Sequence, residues 1–309
     1  MSKTILFIVG PTASGKSAAA YELALRLKAE IISCDSMQIY KDMDIGTSKP
    51  PRDMLDGVPH HLIDIISPDE EFNVARYKKL ADKTVDEVLD RNKLPIFTGG
   101  SGLYVSIVLY GIFDEAEGNN NIRDRLTREA AGRDENYLYD KLKELDHQAA
   151  ELIKPQDSRR VIRALEVYYK TGMTISEAKK KRAGIINKYG VLLYGLKPDR
   201  SYLYERINNR VDKMFQDGLV AEVKGLMEKY NLSKTASQAL GYKQIIAHLK
   251  GQYSLAEARR LIKRDTRRYA KRQLTWFNKD KGIKWLELKR KDSPGDIADR
   301  IYKDAAGNI

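Results

Sequence analysis

The sequence predicts an α/β protein, a parallel sheet flanked by helices and interrupted by a helical insertion. Short, continuous apolar runs alternate with amphipathic stretches as far as Tyr110, the pattern of strands buried on both faces and joined by crossover helices. A glycine-rich loop separates the first such run from the first helical stretch. From Asp114 to about Tyr189 charges and helix formers dominate and no run resembles a strand.

Thr4 to Val9 reads as a buried strand ended by Gly10-Pro11, and Lys16 to Lys28 as a helix with Ala19, Ala20, Leu23, Leu25 and Leu27 in its pattern. Glu30 to Cys34 is a second strand and Leu62 to Ile66 a third. Asn73 is suited to cap a helix running to about Asp90, with Val74, Tyr77, Leu80, Ala81, Thr84, Val85, Val88 and Leu89 at helical spacing. Leu94 to Thr98 is again a strand, followed by Gly99-Gly100-Ser101-Gly102 and an apolar helix. Residues 116–189 form the helical insertion, Val191 to Leu196 returns to the sheet, and the tail from Ser201 onward reads as helical and basic. The α/β core is therefore 1–115 together with 190–309.

Of 309 residues, 42% are hydrophobic and 32% charged, which excludes disorder as the main state. No apolar run approaches the length of a membrane helix. The start, Met1-Ser2-Lys3 before a short apolar run, lacks the features of a secretory signal, so a cytoplasmic location is expected. The single cysteine, Cys34, excludes an internal disulfide and any multi-thiolate metal site, and reads as a core residue. The formal net charge of +12 suits a partner with a phosphate backbone.

Gly10-Pro11-Thr12-Ala13-Ser14-Gly15-Lys16-Ser17 matches G-x-x-x-x-G-K-S/T between a predicted strand and a predicted helix, the context that motif needs. Backbone N–H groups, the helix N-terminus and Lys16 together attract a diphosphate or larger polyphosphate, and the Ser17 hydroxyl is placed to ligate Mg²⁺. The loop is shared by kinases, NTPases and some transferases, so it does not specify the reaction. A GTPase is disfavoured, because Asn278-Lys279-Asp280 has its acid one position too early for guanine recognition. Asp35 directly follows the second strand, at the sheet edge where ligands bind. There a carboxylate can hold Mg²⁺, act as a general base, or cap a turn.

Further motifs narrow the choice. Asp35-Ser36-Met37-Gln38-Ile39-Tyr40, Asp44 to Pro50, His60-His61-Leu62, Gly99 to Tyr104, Asp157 to Glu166 and Gln238-Ala239-Leu240-Gly241-Tyr242 occur in that order after the phosphate loop. With that loop they resemble the tRNA dimethylallyltransferase family, over about residues 10 to 245. The resemblance implies a P-loop NTPase-like core whose loop holds the diphosphate of a prenyl donor without ATP hydrolysis. It implies transfer of a dimethylallyl group from dimethylallyl diphosphate, with Mg²⁺ and release of pyrophosphate. The acceptor is the exocyclic amine of the adenosine 3′ of the anticodon in a tRNA anticodon stem-loop, giving i6A. By the same resemblance Asp35 is the general base, joined in catalysis by Ser101 and Lys16. Ser101 stands where the family usually has Thr, so the hydroxyl is kept. Gly10 to Ser17 contact the diphosphate, with Arg206 as a second contact and Arg210 as its alternative. Asp35, Ser36, Met37, Gln38, Ser101, Arg123, Gln156, Asp157, Ser158, Arg159 and Arg160 fall at its tRNA contacts.

The chemistry agrees with these residue types. Adenine's exocyclic amine is a weak nucleophile that needs a proton acceptor, and charge building on the leaving diphosphate needs cations. The base must leave its stack, and Gln38, with donor and acceptor, suits an adenine edge; its alternative is a turn residue. The cations Arg259, Arg260, Lys263, Arg264, Arg267, Arg268, Lys271 and Arg272 cover more than half of a helix, opposite Ile262, Tyr269 and Trp276, with Asp265 the only acid among them. This arc reads as an RNA-binding face, the alternative being solvated surface. His60 and His61 face opposite ways on a strand and read as structural. A monomer is expected. Two rival functions are a small P-loop kinase, which would make ADP and ignore tRNA, and an RNA-binding nucleotide sensor, which would form no covalent product.

Overall fold

The computed structural model describes residues 3–113, 120–307 and 309. It divides into two units, residues 1–108 with 188–309 and residues 109–187. The expected boundary at 115/116 lies outside the described residues, as do Met1 and Ser2.

In the first unit Thr4–Val9 forms β1, Lys16–Leu27 α1, Glu30–Ser33 β2, Arg52–Gly57 α2 and His60–His61 β3. Val74–Asp90 is α3, Pro95–Gly99 β4 and Gly102–Tyr110 α4. The sheet order is β3-β2-β4-β1, then the strand Gly190–Pro198 and last the strand Lys284–Leu288, with every pairing parallel. Parallel strands need crossovers, and the intervening helices supply them. Ile5 to Val9 are all fully buried, which explains their unbroken apolar run. Leu6 and Ile8 pack in one cluster with Ala19 and Leu23 of α1 and with Ile297 and Ile301. Phe7 stacks on Phe97 of β4, ring centroids 4.6 Å apart. Burying each such side chain contributes about 2 kcal/mol, so the sheet centre is the firmest part of this unit.

Two expectations about the sheet require correction. Leu62 to Ile66 is not a strand, because Leu62 (φ 61°) and Asp64 (φ 56°) are left-handed and break the extended run. The third strand is the dipeptide His60–His61. The tail is not wholly helical either. Lys284–Leu288 pairs with the preceding strand, Trp285 beside Gly195 and Leu286 beside Leu196. It is an edge strand with exposed charges at Lys284 and Glu287, so its apolar signal is weak.

The second unit holds Asn120–Ala130 (α5), Tyr137–Leu145 (α6), His147–Leu152 (α7), Ser158–Thr171 (α8) and Ile175–Lys180 (α9). Leu126, Leu138, Leu142, Val161 and Leu165 form its core. Buried Asp146 caps α7 through Ala149 N (3.0 Å) and also accepts from Ser176 N (2.9 Å) and Oγ (2.7 Å). Those bonds hold its carboxyl below the usual range despite burial.

Returning to the first unit, Gly190–Pro198 is β5, Arg200–Gln216 α10, Leu219–Lys229 α11, Lys234–Ser237 α12 and Tyr242–Leu249 α13. Leu255–Phe277 is α14, Lys284–Leu288 β6 and Pro294–Ala305 α15. Val211, Leu219, Val223, Tyr242, Ile245 and Ile262 build a second core with Ile39 and Tyr40 from the chain beyond β2. Through it, α10 and α14 are brought to the residues that follow the sheet's carboxyl edge.

Candidate active site

Every strand here points the same way, so the loops after β1, β2 and β4 emerge side by side. The loop after β1 curls through Ala13 (φ 63°) and Gly15 (φ 94°) into the first turn of α1. Gly15 is the N-cap, in a left-handed conformation that glycine adopts without penalty. Lys16 is buried and its Nζ donates to Pro11 O at 2.6 Å. Arg206 on α10 donates its Nε to Ala13 O (2.7 Å) and NH1 to Tyr202 Oη (3.1 Å). One turn on, Arg210 NH1 reaches Thr12 Oγ1 at 3.3 Å.

These cations are crowded. Burial, then the charge of Arg210, brings the Lys16 ammonium down to about 7, with Asp35 pulling the other way. Burial and Arg206 likewise lower Arg210. A group of crowded, partly desolvated cations that repel one another is complementary to a polyanion.

Asp35 lies opposite, after β2. Its Oδ1 accepts from Met37 N at 2.9 Å, and it also accepts from the Gln38 backbone. Burial raises its carboxyl above the usual range, while those amides, Lys16 and Arg210 oppose the shift. Ser101, at the end of β4, accepts from Ser36 N (3.0 Å) and donates to Ser36 Oγ (3.2 Å), so its hydroxyl fastens the Asp35 turn. Gln38 is buried and fully engaged. Its Oε1 accepts from Ser33 Oγ (3.2 Å), and its Nε2 faces Thr47 O (3.4 Å) and Ser48 O (3.3 Å). Thr47 and Ser48 are in turn held by their neighbours, since Glu222 accepts from the amides of Asp44 (3.0 Å), Ile45 (2.7 Å) and Gly46 (3.2 Å) and from Tyr242 Oη (2.6 Å).

A cleft of about 330 Å³ joins these groups, lined among others by Thr12, Lys16, Ser17, Asp35, Gln38 and both arginines. Gly10, Pro11 and Ser14 complete the loop behind it. Ser36 is turned to Ser101, and Met37 packs against the Ile39 and Tyr40 core instead of lining the cleft. Arg123, Gln156, Asp157, Ser158, Arg159 and Arg160 belong to the second unit. There Arg123 Nε pairs with buried Glu166 at 3.0 Å, and Asp157 caps α8. Cys34 is buried, its Sγ 3.2 Å from Tyr77 Oη, and burial pushes the thiol up to about 12. His61 holds Glu30 (2.7 Å), whereas His60, its Nδ1 on Val58 O (2.7 Å), lines the cleft.

Sequence reasoning overlooked Lys49, Thr98, Tyr269 and Gln273, all cleft residues. Tyr269 and Gln273 are four apart on α14, and an uncharged Gln inside a basic run was the available signal. The expected apolar stripe of α14 also needs correction. Its buried line is Ala258, Ile262, Thr266, Ala270, Gln273 and Phe277, and Trp276 is 43% exposed over Gly102. The helix turns at 3.6 residues, so a spacing of seven drifts off the buried side.

The cation arc is less uniform than its sequence. Lys263 pairs with Asp212 (2.7 Å), Arg260 with Glu257 (2.6 Å) and Arg264 with Asp265 (2.8 Å). Lys271 and Arg272 are exposed and have no carboxylate partner among the described residues.

A profile of the IPP transferase family matches residues 38–280. This chain belongs to that family. Family members similar to it include the tRNA dimethylallyltransferase of Halothermothrix orenii, 49% identical over 98% of this chain and 92% of that one. The enzyme of the same description from Alkaliphilus oremlandii is 47% identical over 100% of this chain and 99% of its own. Among solved structures, the full-length tRNA isopentenylpyrophosphate transferase of Bacillus halodurans aligns with a TM-score of 0.71 at 39% identity, covering 99% of this chain and 96% of that one. A eukaryotic dimethylallyltransferase acting on tRNA aligns at 0.84 and 28% identity, covering 99% of this chain and 80% of that one.

Proposed function

We propose that this chain transfers a dimethylallyl group from dimethylallyl diphosphate to the exocyclic amine of the adenosine 3′ of a tRNA anticodon, in the cytoplasm. The observation that carries this reading is the cleft in which Lys16, Arg206 and Arg210 face Asp35. One side suits a diphosphate and the other suits an amine losing a proton. The C–N bond forms as the bond from the prenyl carbon to the diphosphate oxygen breaks. The electron pair leaves on that oxygen beside the cations, and the amine proton passes to Asp35. A buried carboxyl with a raised proton affinity is a better acceptor than an exposed one. Gln38, engaged with Ser33 Oγ and the Thr47 and Ser48 carbonyls, shapes the cleft wall beside Asp35. No covalent intermediate on the enzyme is required. Among the described residues no helix is long and apolar enough to cross a membrane.

The residues also fit Mg²⁺. Ser17 is exposed at the first turn of α1 with no hydrogen bond from its hydroxyl among the described residues, and Asp35 lines the same cleft. No cluster of three or more His, Cys, Asp or Glu ligands occurs among the described residues. That suits an ion held by one or two protein oxygens together with substrate phosphates and water. When bound, Mg²⁺ offsets negative charge on the diphosphate.

The test is incubation with dimethylallyl diphosphate, Mg²⁺ and an unmodified anticodon stem-loop, followed by nucleoside mass spectrometry. A five-carbon gain on one adenosine, absent in Asp35→Ala, is the expected result. An unchanged nucleoside profile would overturn the reading.

A further inference from the structure

Gln273 makes a bridge that neither the loop motif nor the basic arc explains. It is 5% exposed, in the last two turns of α14. Its Oε1 accepts from Thr12 N at 2.8 Å, and its Nε2 donates to Gly100 O at 2.9 Å. One side chain thus clasps the phosphate loop after β1 and the glycine loop after β4. The site is built around that amide, because a Cβ at Gly100 would overlap Nε2. Tyr269, one turn earlier, bonds to both Ser101 and Gln273. Together they connect α14 to the turn that carries Asp35.

The Thr12 peptide is where this matters. Loop amides bind phosphate only when several point inward together, and such a run of N–H groups is not self-supporting. Here Thr12 N–H points to Gln273, while the Thr12 hydroxyl meets Arg210 and Ala13 O meets Arg206. Three side chains from two helices therefore fix two consecutive residues of the loop, and Gln273 alone does so from α14.

We propose that Gln273 is a positioning residue through which α14 sets the affinity of the phosphate loop for a diphosphate. It touches no reacting atom. It removes the Thr12 amide from the ligand's reach and orients the remaining loop amides, so that the loop meets its ligand already ordered. This inference rests on the cleft being a diphosphate site.

The test uses inorganic pyrophosphate with Mg²⁺, titrated calorimetrically into the full chain and two variants. Gln273→Met keeps the volume and removes both hydrogen bonds. Gly100→Ala leaves residue 273 intact and displaces its amide. Each is expected to weaken pyrophosphate binding about tenfold, the scale of one buried hydrogen bond lost with its partner unmet. In turnover assays KM for dimethylallyl diphosphate rises by a similar factor while KM for the RNA stays within twofold. A folded Gln273→Met that binds pyrophosphate as tightly as the parent, or more tightly, overturns the proposal. So does a fall in kcat with KM for the donor unchanged, which marks a structural role only. Absence of pyrophosphate binding by the parent overturns the diphosphate reading and the proposal together.

Discussion

Asp35 is held by two competing influences. Burial favours its protonated form, while two backbone amides and the cations Lys16 and Arg210 favour the carboxylate. Burial wins, so a base at this position stops working at a higher pH than an ordinary carboxylate would. The transfer rate should therefore fall on the acid side as pH drops through that raised value, and single-turnover rates followed from alkaline to acid pH would display the limb. Asp35→Asn removes the proton acceptor and should cost about 10² to 10⁴ in rate. Stability should move the other way. A folded-state carboxyl that holds its proton more tightly than the unfolded chain contributes stability below the unfolded value, near pH 4, and loses it as pH rises through the folded value. Asn cannot ionise and keeps an acceptor for Met37 N. Its melting temperature at neutral pH should equal or exceed the parent's, and a lower one would show that the charge is compensated.

Among the elements, α14 has two different halves. Its first turns neutralise themselves, Arg260 against Glu257 at 2.7 and 2.6 Å and Lys263 against Asp212, whereas Lys271 and Arg272 are exposed without a carboxylate. If RNA phosphates meet this helix, Arg272→Gln should lower the slope of log affinity against log salt by about 1, and Arg260→Gln should leave it nearly unchanged. Equal effects would mean the ion pairs open on binding. The loop from Asp44 to Ser48 is a second testable element, since Glu222 takes three of its amides and its Thr47 and Ser48 carbonyls face Gln38. Glu222→Ala leaves those amides and Tyr242 Oη unpaired. It should cost about 2 kcal/mol or more and raise KM for the RNA while pyrophosphate binding holds. These elements also show what the sequence made legible. The central strands were readable because burial on both faces makes them continuously apolar. The edge strands β3 and β6 were not, being two residues long in one case and charge-bearing in the other. The phosphate loop and Asp35 turn could be read because their geometry is local. Gln273 could not, because the residue it holds is 261 positions away.

At the scale of the whole molecule, the cleft is assembled by segments that share little except their meeting point: the loop into α1, the turn after β2, α10 and α14. The loop into α1 and α10 bring cations, the turn after β2 brings Asp35, and α14 brings the uncharged Tyr269 and Gln273. Burial, and then the charge of Arg210, lower the proton affinity of Lys16 to about 7, and burial and Arg206 in turn lower that of Arg210. In this cleft the cations work against one another, and a bound polyanion offsets that cost while tying α1 to α10. Pyrophosphate should raise the thermal midpoint of the full chain, because a ligand that binds only the folded state stabilises it by about 2.7 kcal/mol at a hundredfold excess over Kd. The rise should shrink from pH 6 to pH 8, because without ligand Lys16 is mostly neutral at pH 8 and binding through its ammonium must draw in a proton, which weakens binding as pH rises. The 2.6 Å bond from Lys16 Nζ to Pro11 O already directs that group into the loop, where it meets a diphosphate. Scanning calorimetry with and without pyrophosphate at the two pH values checks the sign, and a shift that is independent of pH or grows with it would mean that Lys16 takes up no proton on binding.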